Sequence, residues 1–186
     1  MKQDNRGFTL VELLVSVVIF SIVCMAVFGF MIAGSTSYTN VQHRIDLQIR
    51  AQLTLNQVSQ ALLNANVGVK FENGVLHALS SDDSTDLTAP CQDNAFALSD
   101  GVLKHGSSTI TPTEAVSTGE VSYSLSAFPT DEVAVGVDTF DVSFTPAALN
   151  ASRQASARIT LSLHQGDASY TATKTVSLRN QPLLIP

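Results

Sequence analysis

Few residues in this sequence have the types and spacing that chemistry requires, and each asks for something different. Glu12 is a carboxylate inside an apolar run, Phe8–Ala33. A charge in an apolar layer costs at least ~2.5 kcal/mol unless it is paired or lies near the edge. Directly before the run stands Gly7-Phe8, a peptide bond whose small first residue lets a protease approach the backbone closely. Asp82, Asp83 and Asp86 cluster in the segment SDDSTD and offer the hard oxygens that calcium takes, but their spacing matches no EF-hand loop. A solvated acidic face is the plainer account of them. His43, His77, His105 and His164 are far apart and form no local zinc pattern. The two cysteines, Cys24 and Cys91, are too few for a disulfide scaffold or a four-thiolate zinc site. HExxH, CxxC, phosphate-loop and GxSxG motifs are missing, so no catalytic residue and no metal or other cofactor is assigned, and the chain reads as a non-enzyme.

The composition asks where the hydrophobicity lies. Charged residues make up 14% of the 186, against a usual ~25%. Mean hydropathy is +0.20. Disorder is disfavoured, because it needs low hydrophobicity and high charge. Direct nucleic-acid binding is disfavoured too, because a net charge of −6 repels phosphate. The surplus is concentrated in Phe8–Ala33, longer than the ~20 residues that span a bilayer as a helix. It is too long for the core of a secretory signal peptide, whose apolar region runs ~7–15 residues. Lys2 and Arg6 precede it and the first charge after it is Arg44, so the N-terminus is expected in the cytoplasm and the rest outside.

The stretch Arg6-Gly7-Phe8-Thr9-Leu10-Val11-Glu12-Leu13-Leu14-Val15-Ser16 resembles the N-terminal signature of type IV pilins and type II secretion pseudopilins. The resemblance covers about the first thirty residues. It implies cleavage between Gly7 and Phe8 by a prepilin peptidase and N-methylation of the new Phe8 amine. It also implies that Glu12 attracts the Phe8 amine of a neighbouring subunit and sets axial register. A single buried polar residue fixes register in a coiled coil for the same reason. Removal of Lys2, Asp4 and Arg6 leaves eight bases and fifteen acids, a net charge of −7.

Beyond the membrane segment the helix is expected to continue to about Asn66. The apolar positions Val41, Ile45, Ile49 and Leu53, then Leu55, Val58 and Leu62, fall three or four apart. Gly29, Gly34 and the Ser35-Thr36-Ser37 stretch weaken the middle and allow a bend. After Asn66 the pattern turns to strands. VGVKFE and VLHAL flank Asn73-Gly74, and FALS and VLKH flank Asp100-Gly101, each a hairpin signal. Glu120–Phe128 and Val137–Thr145 alternate with period two, and Ser156–His164 with Ala168–Asn180 reads as a long antiparallel hairpin. Ser80–Asn94, Gly106–Gly119, 129–136 and 146–155 are expected loops, with Cys91 an unpaired loop thiol. From Phe71 to Asp141 there are twelve acids and one base, Lys104.

The expected fold class is therefore α+β and pilin-like: a long N-terminal helix, half transmembrane and half amphipathic, packed on an antiparallel β-sheet domain. Residues 1–7 form a leader, 8–33 the transmembrane segment, 34–66 the amphipathic continuation and 67–186 the β domain. The order of elements, the VDTFDVSF strand and the Leu178-Arg179-Asn180 ending are similar to W-type minor pilins and J-type minor pseudopilins. The resemblance implies a minor subunit in the cytoplasmic membrane that helps initiate or cap a type IV pilus or type II secretion pseudopilus. Its implied partners are prepilin peptidase, the membrane and other pilin or pseudopilin subunits. A tip subunit binding surfaces or cargo is the alternative, and a signal-anchored extracytoplasmic enzyme a remote one.

Overall fold

The computed structural model describes residues 9–82, 89–114, 121–122, 125, 129–145, 155–180 and 182–185. Gly7, Phe8, Asp83, Asp86 and most of Glu120–Phe128 therefore lie outside the described residues. The chain divides into two compact units, Met1–His43 and Arg44–Pro186.

The first unit carries the start of α1 (Leu10–Asn64). Thr9 begins the helix. Its Oγ1 accepts from the Glu12 N–H at 3.3 Å, and its carbonyl accepts from Leu13 N at 3.2 Å. Thr9 is thus an N-cap with a glutamate three residues on, the spacing of a capping box. The hydroxyls in the apolar segment are satisfied within the helix: Ser16 donates to the Glu12 carbonyl and Ser21 to the Val18 carbonyl, both at 2.7 Å. Thr36 and Thr39 do the same to carbonyls three and four residues back. The expected weak middle is nonetheless helical, its Thr hydroxyls satisfied by this back-bonding. Large apolar side chains from Leu10 to Ile32 are about half exposed or more, whereas Cys24 is half-buried. This is the one helix among the described residues long and apolar enough to cross a membrane.

The second unit holds the rest of α1 and the strands. A six-stranded sheet grows as a meander of β1 (Gly68–Glu72), β2 (Val75–Ser80), β3 (Cys91–Ser99) and β4 (Val102–Ile110). A small pair, β5 (Thr113–Glu114) and β6 (Val121–Ser122), intervenes before β7 (Asp131–Val135) adds to β4. A three-stranded sheet follows from β8 (Val137–Thr145), β9 (Ser156–Gln165) and β10 (Ala168–Ser177), in the order β10-β9-β8. Finally β11 (Leu183–Leu184) returns to β1, the one parallel pairing among the described residues. The Asn73-Gly74 and Asp100-Gly101 turns have φ of 53° and 77°, and 52° and 73°, the left-handed pairs that two-residue hairpins require.

The main core lies between α1 and both sheets. α1 contributes Leu47, Ala51, Leu55, Val58 and Leu62, at the three- and four-residue spacing of one helix face. The sheets contribute Leu76, Ala78, Phe96 and Leu103, and Phe140, Val142, Ile159, Leu161 and Leu163. Only the second of the two expected apolar sets is therefore buried. Ile45, Ile49 and Leu53 remain 52%, 51% and 64% exposed. Periodicity marks a stripe but not which stripe the sheets cover, and Leu47 and Ala51 put the covered face elsewhere.

Three expected loops contain strands. β3 starts at Cys91, β4 continues through Ser107, Ser108 and Thr109 to Ile110, and β7 occupies 131–135. Their polar Ser, Thr and Asp residues hide a strand pattern that pairing satisfies. Asn180 also has a structural role. Its Nδ2 donates to the Leu63 carbonyl at 3.3 Å and the Ala65 carbonyl at 3.5 Å, covering helix-end acceptors where the last turn carries no basic residue.

Gly136 joins the two sheets. Its φ is +76°, and a Cβ there would stand 2.5 Å from the His164 carbonyl oxygen. Gly74 has φ +77° with open space around it. Gly74→Ala is expected to cost about 1 kcal/mol from handedness alone. Gly136→Ala is expected to cost about 2 kcal/mol or more, because the backbone must also move. Thermal unfolding of the two full-length variants checks the difference.

Candidate functional site

Glu12 sits in the first turn of α1 with its side chain exposed, surrounded along the helix by Leu10, Val11, Leu13, Leu14 and Val15. The carboxylate stands at the positive end of the helix dipole, which favours it. Its N–H is capped by Thr9. This is a local role that the sequence pattern Thr9-x-x-Glu12 carries but that the charge argument alone overlooks. The arrangement leaves the carboxylate itself projecting from an apolar helix, where it would attract a cation such as an α-amine.

A second apolar feature lies on the folded unit. Among its described residues, the exposed large hydrophobic side chains are Ile45, Ile49, Leu53, Leu63 and Val135. Three of the five form one helical stripe. Leu53 and Val135 both line a groove of about 340 Å³ between α1 and β7, together with Arg50 and Glu132. Arg50 is held by Asp46, four residues back, at 2.8 Å.

The other polar groups separate rather than converge. His77 on β2 lies diagonal to Asp93 on β3, and its Nδ1 donates to the carboxylate at 3.0 and 2.9 Å. Asp93 is wholly buried. His105 stacks at 4.7 Å against Phe96, His164 pairs with Asp138 at 2.7 Å, and His43 is exposed on α1. Each histidine thus has its own surroundings. No group of three or more potential metal ligands converges among the described residues. Asp82 lines a polar groove of about 630 Å³ with Asn64, Asn66, Ser81 and Asn180 at the end of α1. The His77–Asp93 pair escapes sequence reading because Asp93 falls in an expected loop. Only the β2–β3 register brings it beside His77.

Cys91 is a correction to the loop-thiol expectation. It is 2% exposed in a small second core with Val67, Leu79 and Ile110. Burial, and then the charge of Asp93, pushes its thiol above the ordinary value. The folded state therefore keeps the proton longer than the unfolded chain. The resulting stability is full below the ordinary thiol range and is lost as pH rises through the raised folded value. In a Cys24→Ser background, unfolding midpoints are expected to fall at strongly alkaline pH, and Cys91→Ala should flatten that fall. Iodoacetamide should label Cys91 only after unfolding.

Comparison with known proteins bears on the first of these features. Residues 2–28 match the family model of the prokaryotic N-terminal methylation motif, the segment that holds Glu12 and most of the exposed apolar run. Among solved structures, a type IV-like pilin from Thermus thermophilus is similar with a TM-score of 0.49 and 11% identity, covering 73% of this chain and 98% of that one. A search of curated proteins gave no significant match. The motif and the apolar helix together point to membrane anchoring.

Proposed function

We propose that this chain is a minor pilin or pseudopilin. It would be held in the cytoplasmic membrane by α1, with its N-terminus inside and its β unit outside, and cut by prepilin peptidase between Gly7 and Phe8. The Phe8 amine is then N-methylated. The processed subunit joins others to initiate or cap a type IV pilus or type II secretion pseudopilus. The observation that carries this reading is Glu12: one carboxylate on an exposed apolar helix, inside a methylation motif. An α-amine generated next to lipid needs such a counter-charge, because an unpaired charge in apolar surroundings is costly. The exposed stripe of Ile45, Ile49 and Leu53 supports the same reading, since it gives neighbouring subunit helices an apolar surface to meet. The minor subclass rests on the late β8–β10 meander and the Leu178-Arg179-Asn180 ending, in which Leu178 is buried and Asn180 covers helix carbonyls.

Mass spectrometry of the membrane-extracted protein tests the reading. The expected mass lacks residues 1–7 and carries one added methyl group. An uncut leader in cells with active prepilin peptidase would overturn it.

A further inference from the structure

Glu12 and Tyr38 bracket the apolar part of α1. No charged side chain and no histidine stands between Glu12 and His43. The large apolar side chains from Leu10 to Ile32 are exposed, and so is Tyr38, so the described chain leaves this length of helix uncovered. The two residues are 26 positions apart, ~39 Å along a helix. A bilayer has a hydrocarbon core of ~30 Å and measures ~40–45 Å with its headgroup layers. The carboxylate and the phenol are therefore spaced to stand in opposite headgroup layers.

The apolar run Phe8–Ala33 is itself ~39 Å long as a helix, so two placements compete. To bury all of it the helix must tilt by about 40°, the upper limit of observed tilts, and Glu12 then lies inside the core. An upright helix instead leaves a surplus of about six residues, and a surplus at the N-terminal end carries Glu12 out to the headgroups. The charge decides for the second placement, because a carboxylate in hydrocarbon is costly. The other end of the segment follows at little cost. Thr36 donates to the Ile32 carbonyl at 2.8 Å and Thr39 to the Thr36 carbonyl at 3.0 Å, so these hydroxyls are satisfied without water. Tyr38 beside them has the apolar ring and polar tip of an interfacial anchor.

We propose that α1 crosses the bilayer with Val15–Ser35 in the hydrocarbon, Glu12 in one headgroup layer and Tyr38 in the other. The partner at each end is a lipid headgroup layer, which supplies donors to the Glu12 carboxylate and acceptors to the Tyr38 hydroxyl. The embedded segment thereby starts seven residues after the apolar run does. This inference rests on membrane anchoring, but not on the filament reading or on which end faces the cytoplasm.

Depth-dependent fluorescence quenching tests it. The chain has no tryptophan, so single probes read depth without background. Val11, Met25 and Tyr38 are all exposed, and a tryptophan at each displaces no packed neighbour. Val11→Trp, Met25→Trp and Tyr38→Trp are made separately in the full-length chain. Each is reconstituted in phosphatidylcholine vesicles whose acyl chains carry bromine either near the headgroups or near the chain ends. Met25→Trp is expected to be quenched about threefold more by the chain-end bromine, and the other two about threefold more by the headgroup-proximal bromine. Adding Glu12→Leu to the Val11→Trp chain removes the charge that sets the placement, and the probe should then shift towards chain-end quenching. Chain-end quenching of Val11→Trp with Glu12 in place would overturn the proposal. So would a Tyr38→Trp probe quenched by neither lipid, or a Val11→Trp depth indifferent to Glu12→Leu. A Met25→Trp probe quenched by neither lipid would overturn membrane anchoring itself, and this placement with it.

Discussion

Glu12→Val is expected to insert into the membrane at least as well as the parent and to be missing from the assembled filament. Two opposed consequences of one charge make the effect large. A carboxylate at the centre of an apolar span opposes insertion by at least ~2.5 kcal/mol, and by less near the helix end, so its removal cannot impair anchoring. The helix start also survives, because Thr9 Oγ1 caps the Glu12 backbone N–H, which valine retains. On the proposed reading, what disappears is the counter-charge for the Phe8 amine of the neighbouring subunit. Glu12→Gln separates the two roles, since it keeps a polar side chain of the same length but no charge. Fractionation followed by quantification in sheared filaments measures both outcomes. Parental amounts of Glu12→Val in filaments would refute the pairing role, while an intact leader would refute the wider reading.

His77→Ala is expected to destabilise the β unit by about 3 kcal/mol, the upper end of the cost of taking a hydrogen-bond partner from a buried polar group. Asp93 has no exposed surface, and its carboxylate holds the imidazole at 2.9 Å. Removing the ring leaves the charge without that partner in a place water does not reach. For a chain of this size the unfolding midpoint should drop by roughly 10 °C, at ~2–4 °C per kcal/mol. His77→Ala with Asp93→Ala in the same chain should cost less than the sum of the two single changes, because both remove the same contact. Additive losses would show that the pair does not act as a unit. The exposed His164–Asp138 pair is the comparator. Breaking it with His164→Ala should cost less than about 1 kcal/mol, because exposed pairs contribute little.

The sequence by itself determined the parts of this protein that depend on neighbours along the chain. The apolar length of Phe8–Ala33, the lone carboxylate at Glu12 and the two hairpin turns at Asn73-Gly74 and Asp100-Gly101 are local facts. Helix rise and turn geometry convert them directly into structure. Tertiary structure decided what depends on partners distant in sequence. It chose Leu47, Ala51, Leu55, Val58 and Leu62 as the covered face of α1 and left Ile45, Ile49 and Leu53 outside. It drew Cys91 and Asp93 out of an expected loop into β3, placing one in a small core and the other beside His77. It brought Asn180 back to the end of α1. Strand pairing satisfies backbone groups whatever the side chains are, so polar stretches such as Gly106–Ile110 become strands without announcing it. Register then decides which buried groups meet.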